Sequence, residues 1–222
     1  MTRQLIFDLP AADRLTRADF SVSPANAVAM AAIDGWRDWP NRKMLLTGPK
    51  GAGKSHLAQI WADDARAVRV AAGDLAALGL GDLAPDGAVA VEDAETLAGH
   101  GASETALFHL HNLLSASGTL LLTAATPPRD WGLTLPDLAS RMQATALTRL
   151  EAPDDALLGA VLAKLFSDRQ LAVADTLIPY LLSRMDRSID AARALVDALD
   201  ARALSLHRPV TRALAAEILD RS

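Results

Sequence analysis

Eight consecutive residues carry the plainest chemistry in this chain: Gly48-Pro49-Lys50-Gly51-Ala52-Gly53-Lys54-Ser55. They fit G-x-x-x-x-G-K-[ST], the pattern of a phosphate-binding loop. Glycines and the small Ala52 let backbone N–H groups turn inward around phosphate oxygens. Lys54 sets an ammonium against the terminal phosphates, and the Ser55 hydroxyl is an oxygen ligand suited to Mg²⁺. His56 follows in the first turn of the next helix and reads as a helix residue beside the site rather than a catalytic base. The plainer alternative is a glycine turn with an incidental Lys-Ser, but all eight positions match in the right context.

That context is an apolar strand, Met44-Leu45-Leu46, before the loop and a helix from about 55 to 66 after it, whose amino end favours anions. A phosphate loop of this kind works with an acid at the end of a second apolar strand. Glu92 and Asp93 follow Val89-Ala90-Val91 and fill that place. Glu92 is a candidate Mg²⁺ ligand together with Ser55. It is one methylene longer than aspartate, which displaces the metal shell or inserts a water. Either acid is a candidate to orient an attacking water; the alternative is a solvated strand end.

Further strands are expected at 68–71, 88–91, 119–124 and 145–150, with helices near 24–34, 103–115 and 135–142. Ser23-Pro24 reads as the cap and first position of the earliest helix. After Pro153 strand alternation stops. Leucines at 158, 162 and 165, then 177, 181 and 182, and further sets to Ile218 have helical spacing. The expected fold is α/β: a parallel sheet with helices on both faces, followed by a small four-helix block. The expected division is a tail at 1–19, a nucleotide-binding core at 20–151 and a helical lid at 152–222.

The 222 residues, half hydrophobic and 22% charged, suffice for a real core. No cysteine is present, so disulfides, thiolate catalysis and cysteine–zinc sites are excluded. A reducing cytoplasm is the expected location, with no membrane partner, since no apolar run approaches the ~18 residues of a membrane span. The net charge of −5 argues against a free-standing duplex-DNA binder. His109 and His111, two apart on a helix, do not share a face for zinc. The four tryptophans read as packing, and the arginines at 184, 187, 193, 202, 208 and 212 as a solvated face.

The phosphate loop, the acid-tipped strand and the C-terminal helical block resemble an AAA+ module, and closer matches point to the DnaA family within it. Phe20-x-Val22-x-x-x-Asn26 is similar to that family's lead-in to the adenine pocket, which implies Val22 and Asn26 as nucleotide contacts. Leu135-Pro136-Asp137-Leu138-Ala139-Ser140-Arg141 resembles its arginine-finger helix. The resemblance spans nearly the whole chain and implies bound ADP or ATP with Mg²⁺. It further implies that Arg141 reaches the nucleotide of a neighbouring subunit, where a guanidinium offsets charge developing on the transferred phosphoryl group. The local alternative is an ion pair with Asp137, four residues earlier.

Gln4-Leu5-Ile6-Phe7-Asp8-Leu9-Pro10 resembles the peptide by which regulatory members of the family, and other replication proteins, dock on the sliding clamp, the DNA polymerase III beta subunit. Leu5, Phe7 and Leu9 alternate and would face one way in an extended chain, with Gln4 at the rim. The sequence stops at the lid, where DnaA continues into a DNA-reading domain, so the expected contact with DNA is indirect. The expected partners are the clamp and DnaA itself, and a homo-oligomer is compatible with the family.

Three positions depart from the pattern. Asp190 stands where the lid normally offers arginine to the phosphates and would repel a γ-phosphate, with Arg187 and Arg193 one turn either side as candidate substitutes. Ala124-Ala125 replaces the usual polar residue on the fourth strand, with only Thr123 or Thr126 nearby. Glu92 is the third. Together they imply that the chain holds nucleotide as a clip between core and lid and hydrolyses it poorly. The expected function is regulatory: clamp docking and activation of DnaA's ATP hydrolysis in trans. A self-contained ATPase of helicase-loader type and an adaptor without arginine action are the alternatives.

Overall fold

The computed structural model describes residues 15–79, 83, 87–115 and 117–220. The tail residues Gln4, Leu5, Phe7 and Leu9 lie outside these. Five strands form one sheet: β1 (Lys43–Thr47), β2 (Val68–Ala71), β3 (Ala88–Glu92), β4 (Thr119–Ala124) and β5 (Ala146–Arg149). Their order is β2-β3-β4-β1-β5, and every pairing is parallel. Interior strands of such a sheet are covered on both faces, which explains why the middles of β1 and β4, Met44-Leu45-Leu46 and Leu120-Leu121-Leu122, are continuous apolar runs and both strands are buried along their whole length.

Alternation along each strand splits the core in two. Leu45, Val89, Val91, Leu120 and Leu122 pack to one face with Leu107, Leu110 and Leu138. Leu46, Ala88, Ala90 and Leu121 pack to the other with Ile33, Leu57 and Trp61. The helices supplying those layers are α1 (Ala27–Asp34), α2 (Lys54–Ala65), α3 (Gly101–Leu113) and α4 (Pro136–Ala144). Trp39 stacks on Trp61 at 5.5 Å between ring centroids, and Trp36 meets Trp61 edge-on at 6.3 Å. The tryptophans are packing residues, as their sequence context suggests.

The C-terminal block comprises α5 (Asp155–Asp168), α6 (Leu177–Leu182), α7 (Ile189–Leu206) and α8 (Arg212–Leu219). It has its own core around Leu162, Phe166, Leu181, Val196, Leu199 and Leu214. Side-chain caps start three of these helices: Asp154 accepts from Leu157 N–H, Ser188 from Ala191 N–H and Thr211 from Leu214 N–H.

One helix start differs from expectation. Ser23 does not cap α1. The Asn26 side chain accepts from Ser23 N–H at 2.8 Å and donates to the Ser21 carbonyl at 2.9 Å, tying the turn ahead of a helix that begins at Ala27. A buried amide that satisfies two backbone groups outcompetes a serine cap here.

Candidate nucleotide site and arginine cleft

The phosphate loop leaves the carboxyl end of β1 and runs into α2. Gly51 and Gly53 have φ of +72° and +103°, conformations open to glycine. Gly51 is also hemmed in, since a Cβ there would overlap the Ser188 hydroxyl at the start of α7. The Gly51 carbonyl accepts from Ile189 N–H at 2.8 Å. The lid helix is thus bonded directly to the tip of the loop.

Two cavities adjoin this contact. The larger, about 320 Å³, is lined by Phe20, Asn26, His56, Leu157, Ile189 and Arg193 among others. The smaller, about 70 Å³, is lined by Gly51, Gly53, Ser55, His56, Asp190 and Arg193. The first is a mixed apolar and polar hollow between core and lid, suited to a base and sugar. The second touches loop glycines and the start of α2, where phosphates belong. A nucleotide therefore fits the residues present.

Lys54 is buried, and its ammonium donates to the Gly48 carbonyl at 2.8 Å and the Pro49 carbonyl at 3.1 Å. Burial pulls its pKa below the usual lysine value, opposed by the charges of Asp93, Glu95 and Asp190. Buried His56 donates through Nε2 to the Thr16 carbonyl at 2.8 Å and meets Phe20 edge-on, fixing the lead-in against α2. Its pKa is also lowered by burial.

Ala52 is buried and packs with the core beneath the loop. Val22 is 62% exposed and does not line either cavity; Phe20, Ser21 and Asn26 supply the lead-in's contribution. Lys50 likewise points to solvent, outside both cavities. Arg187 pairs with Asp155 at 2.9 Å and so does not stand in for Asp190. Arg193, expected either on a solvated face or as a substitute for the missing lid arginine, lines both cavities.

The acids at the end of β3 are divided. Arg69 of β2 donates to Glu92 through Nε at 2.9 Å and through Nη2, and Arg69 also reaches Gln59 of α2. Glu92 is thereby neutralised inside the protein, and an Mg²⁺ shell shared by Ser55 and Glu92 does not fit this arrangement. Among the described residues no cluster of three or more His, Cys, Asp or Glu is placed to hold a metal. Asp93 has φ of +55°, and its N–H donates to the Thr123 hydroxyl at 3.1 Å. Glu95 accepts from Ala125 N–H at 2.8 Å. Asp93 and Glu95, unlike Glu92, act electrostatically on Lys54.

Arg141 sits in the last turn of α4, at the other end of the sheet. It lines a cleft with Lys43, the first residue of β1, and with His111 of α3. Five residues of strand, at about 3.3 Å each, put Lys43 about 16 Å from Gly48. The guanidinium lies 4.9 Å over the Phe108 ring and 3.3 Å from His111 Nδ1. It makes no ion pair with Asp137; among the described residues no carboxylate pairs with it. Burial, Lys43 and Arg141 push the His111 pKa down to about 4. The ring is therefore neutral at pH 7 and accepts from Arg141 as the Nε2-protonated tautomer.

A parallel β2-β3-β4-β1-β5 sheet with a phosphate loop after β1, which lies between β4 and β5, and a helical block hydrogen-bonded to that loop defines an AAA+ fold. In particular it is the fold of domain III of DnaA. Domain III of the replication initiation protein DnaA from Thermotoga maritima superposes with TM-score 0.80, at 20% identity over 94% of this chain and 97% of that one. AMPPCP-bound DnaA from Aquifex aeolicus gives TM-score 0.70 at 17% identity over 87% of this chain. This chain spans 67% of that structure's length. A point mutant of RuvB from Thermotoga maritima gives 0.64 at 17% identity, covering 88% of this chain and 68% of that one. No protein-family model matches the chain. No helix among the described residues is long and apolar enough to cross a membrane.

Proposed function

We propose that this chain is a nucleotide-clipped AAA+ regulator of replication initiation, of the Hda type, that acts through Arg141 on ATP bound to DnaA. The observation that carries this reading is the position of Arg141: beside Lys43, at the end of β1 opposite its own phosphate loop, and unmatched by any carboxylate among the described residues. A guanidinium so placed cannot serve its own nucleotide, but it can meet one held by a neighbour. The fold shared with DnaA supports a neighbour of the same architecture.

In this reading ADP or ATP lies across the two cavities. Lys54 and the loop amides neutralise its phosphates, and the bond from Ile189 to Gly51 couples lid to loop. Asp190 beside the smaller cavity opposes a third phosphate, which favours ADP. The pairing of Glu92 with Arg69 leaves little capacity for hydrolysis by this chain itself. Both features weigh against a self-contained motor. The partner's ATP loses its terminal phosphoryl group to water, and Arg141 offsets the charge that develops there. Gln4, Leu5, Phe7 and Leu9 dock the chain on the sliding clamp in the cytoplasm, which brings it to DNA indirectly.

The test is an ATP hydrolysis assay with DnaA, clamp loaded on DNA, and this chain. The intact protein is expected to stimulate hydrolysis. A Gln4→Ala/Leu5→Ala variant is expected to lose stimulation and clamp capture while still binding ADP. A tail variant as stimulatory as the intact chain contradicts clamp docking, and failure of the intact chain to stimulate contradicts the regulatory reading.

A further inference from the structure

The cleft around Arg141 holds more positive charge than an arginine finger requires. It measures about 250 Å³, opens to the surface and is lined by Pro40, Asn41, Lys43, His111, Arg141 and Thr145 among others. Lys43 is 5% exposed, and its ammonium donates to the Asn41 carbonyl at 3.3 Å. Among the described residues no carboxylate pairs with Lys43 or Arg141. Burying an ammonium without a counter-charge is unfavourable, and placing a guanidinium beside it adds repulsion. The turn leading into Lys43 is itself strained: Asn41 and Arg42 have φ of +52° and +56°. A folded chain that keeps two cations and an imidazole together in an open cleft has built a complement to an anion.

We propose that this cleft is an oxyanion site in which Lys43 and Arg141 together grip a terminal phosphate group while His111 holds Arg141 in position. Lys43 acts as a point charge and Arg141 as a two-pronged donor. The neutral His111 ring accepts from Arg141 and adds no third charge. The ligand class is the outward-facing terminal phosphate of a nucleotide carried by a second protein, a source that rests on the function proposed above. Inorganic pyrophosphate offers the same chemistry free in solution.

Two histidines report on the two sites separately: His56 lines the nucleotide cavities and His111 the cleft. Histidine-labelled protein, saturated with ADP, is titrated with inorganic pyrophosphate at pH 7 and followed by NMR. His111 ring signals are expected to shift saturably while those of His56 stay fixed. Lys43→Met, which fills the same buried space with an uncharged chain, is expected to weaken this response about tenfold. The same variant is expected to leave the His56 response to ADP intact. A His111 signal that millimolar pyrophosphate does not move, or moves equally in Lys43→Met, overturns the site. Failure of ADP to move His56 contradicts the nucleotide clip instead and leaves the His111 result readable. With DnaA, Lys43→Met is expected to lose stimulation about tenfold. Full stimulation by a variant that no longer responds to pyrophosphate overturns the partner-borne phosphate as ligand.

Discussion

Arg141→Ala is expected to lower stimulation of partner ATP hydrolysis by about 10³-fold, the lower end of what arginine fingers contribute. Clamp capture and ADP binding should not change, because the proposed docking peptide and the phosphate loop do not include Arg141. The size follows from where the charge acts. A guanidinium brought to a phosphoryl group in a water-excluded interface meets charge that grows only in the transition state. Its effect therefore appears in the hydrolytic rate more than in complex formation. Arg141→Lys keeps a charge but not the planar fork, and an intermediate loss is expected. Misfolding is a poor alternative explanation. The side chain is half-buried against Phe108 and His111, and removing one such contact costs about 1 kcal/mol. The check is a single-turnover hydrolysis assay beside thermal melts of each variant. An alanine variant within threefold of the native chain would contradict the account and favour an adaptor without arginine action.

Glu104→Ala is expected to lower folding stability by about 3–5 kcal/mol, the scale for removing one partner of a buried, charge-assisted network. Glu104 has no exposed surface. Its carboxylate accepts from Gly99 N–H at 2.9 Å, Thr134 N–H at 3.0 Å, the Thr134 hydroxyl at 3.0 Å and Leu135 N–H at 2.8 Å. Alanine strands all four donors. Thr134 and Leu135 lead directly into α4, so a folded remnant should also carry Arg141 less well aligned. Burial pushes the Glu104 pKa up, but the amides of Thr134, Leu135 and Gly99 outweigh it and hold it below the ordinary 4.5. A lowered carboxyl pKa contributes stability that is present above 4.5 and lost as pH falls through the folded value. The stability gap between native protein and Glu104→Gln should thus be full at pH 7 and narrow below about pH 4.5. Urea unfolding of both proteins across this range is the check, and a gap that is constant or widens on acidification would refute the assigned role.

The loop, the strands and the four-helix block could be read from sequence because their signals are local. Glycine spacing, apolar runs and leucine periodicity each act within a few residues. The residues that sequence reading missed owe their roles to distant partners. Glu104 meets Thr134 across 30 positions, Arg141 meets His111 across 30, and Arg69 meets Glu92 across 23. Arg69 and Glu92 are brought together by the pairing of β2 with β3, a register that no local pattern announces. Arg193 is a divided case. The sequence offers it both as part of a solvated arginine face and as a substitute for the missing lid arginine, and the docking of α7 on the loop places it at the candidate nucleotide cavities. Val22 fails in the opposite sense: its place in the lead-in suggested contact, but Asn26 folds the turn so that Val22 faces outward.

In the proposed function every step begins with a nucleotide fixing loop and lid together, so direct titration calorimetry with ADP and ATP tests the account most closely. One-to-one uptake by the native chain, with ADP the tighter ligand and both lost in Lys54→Ala, is the predicted result. Absence of any uptake by well-folded native protein at millimolar ADP and ATP would contradict it.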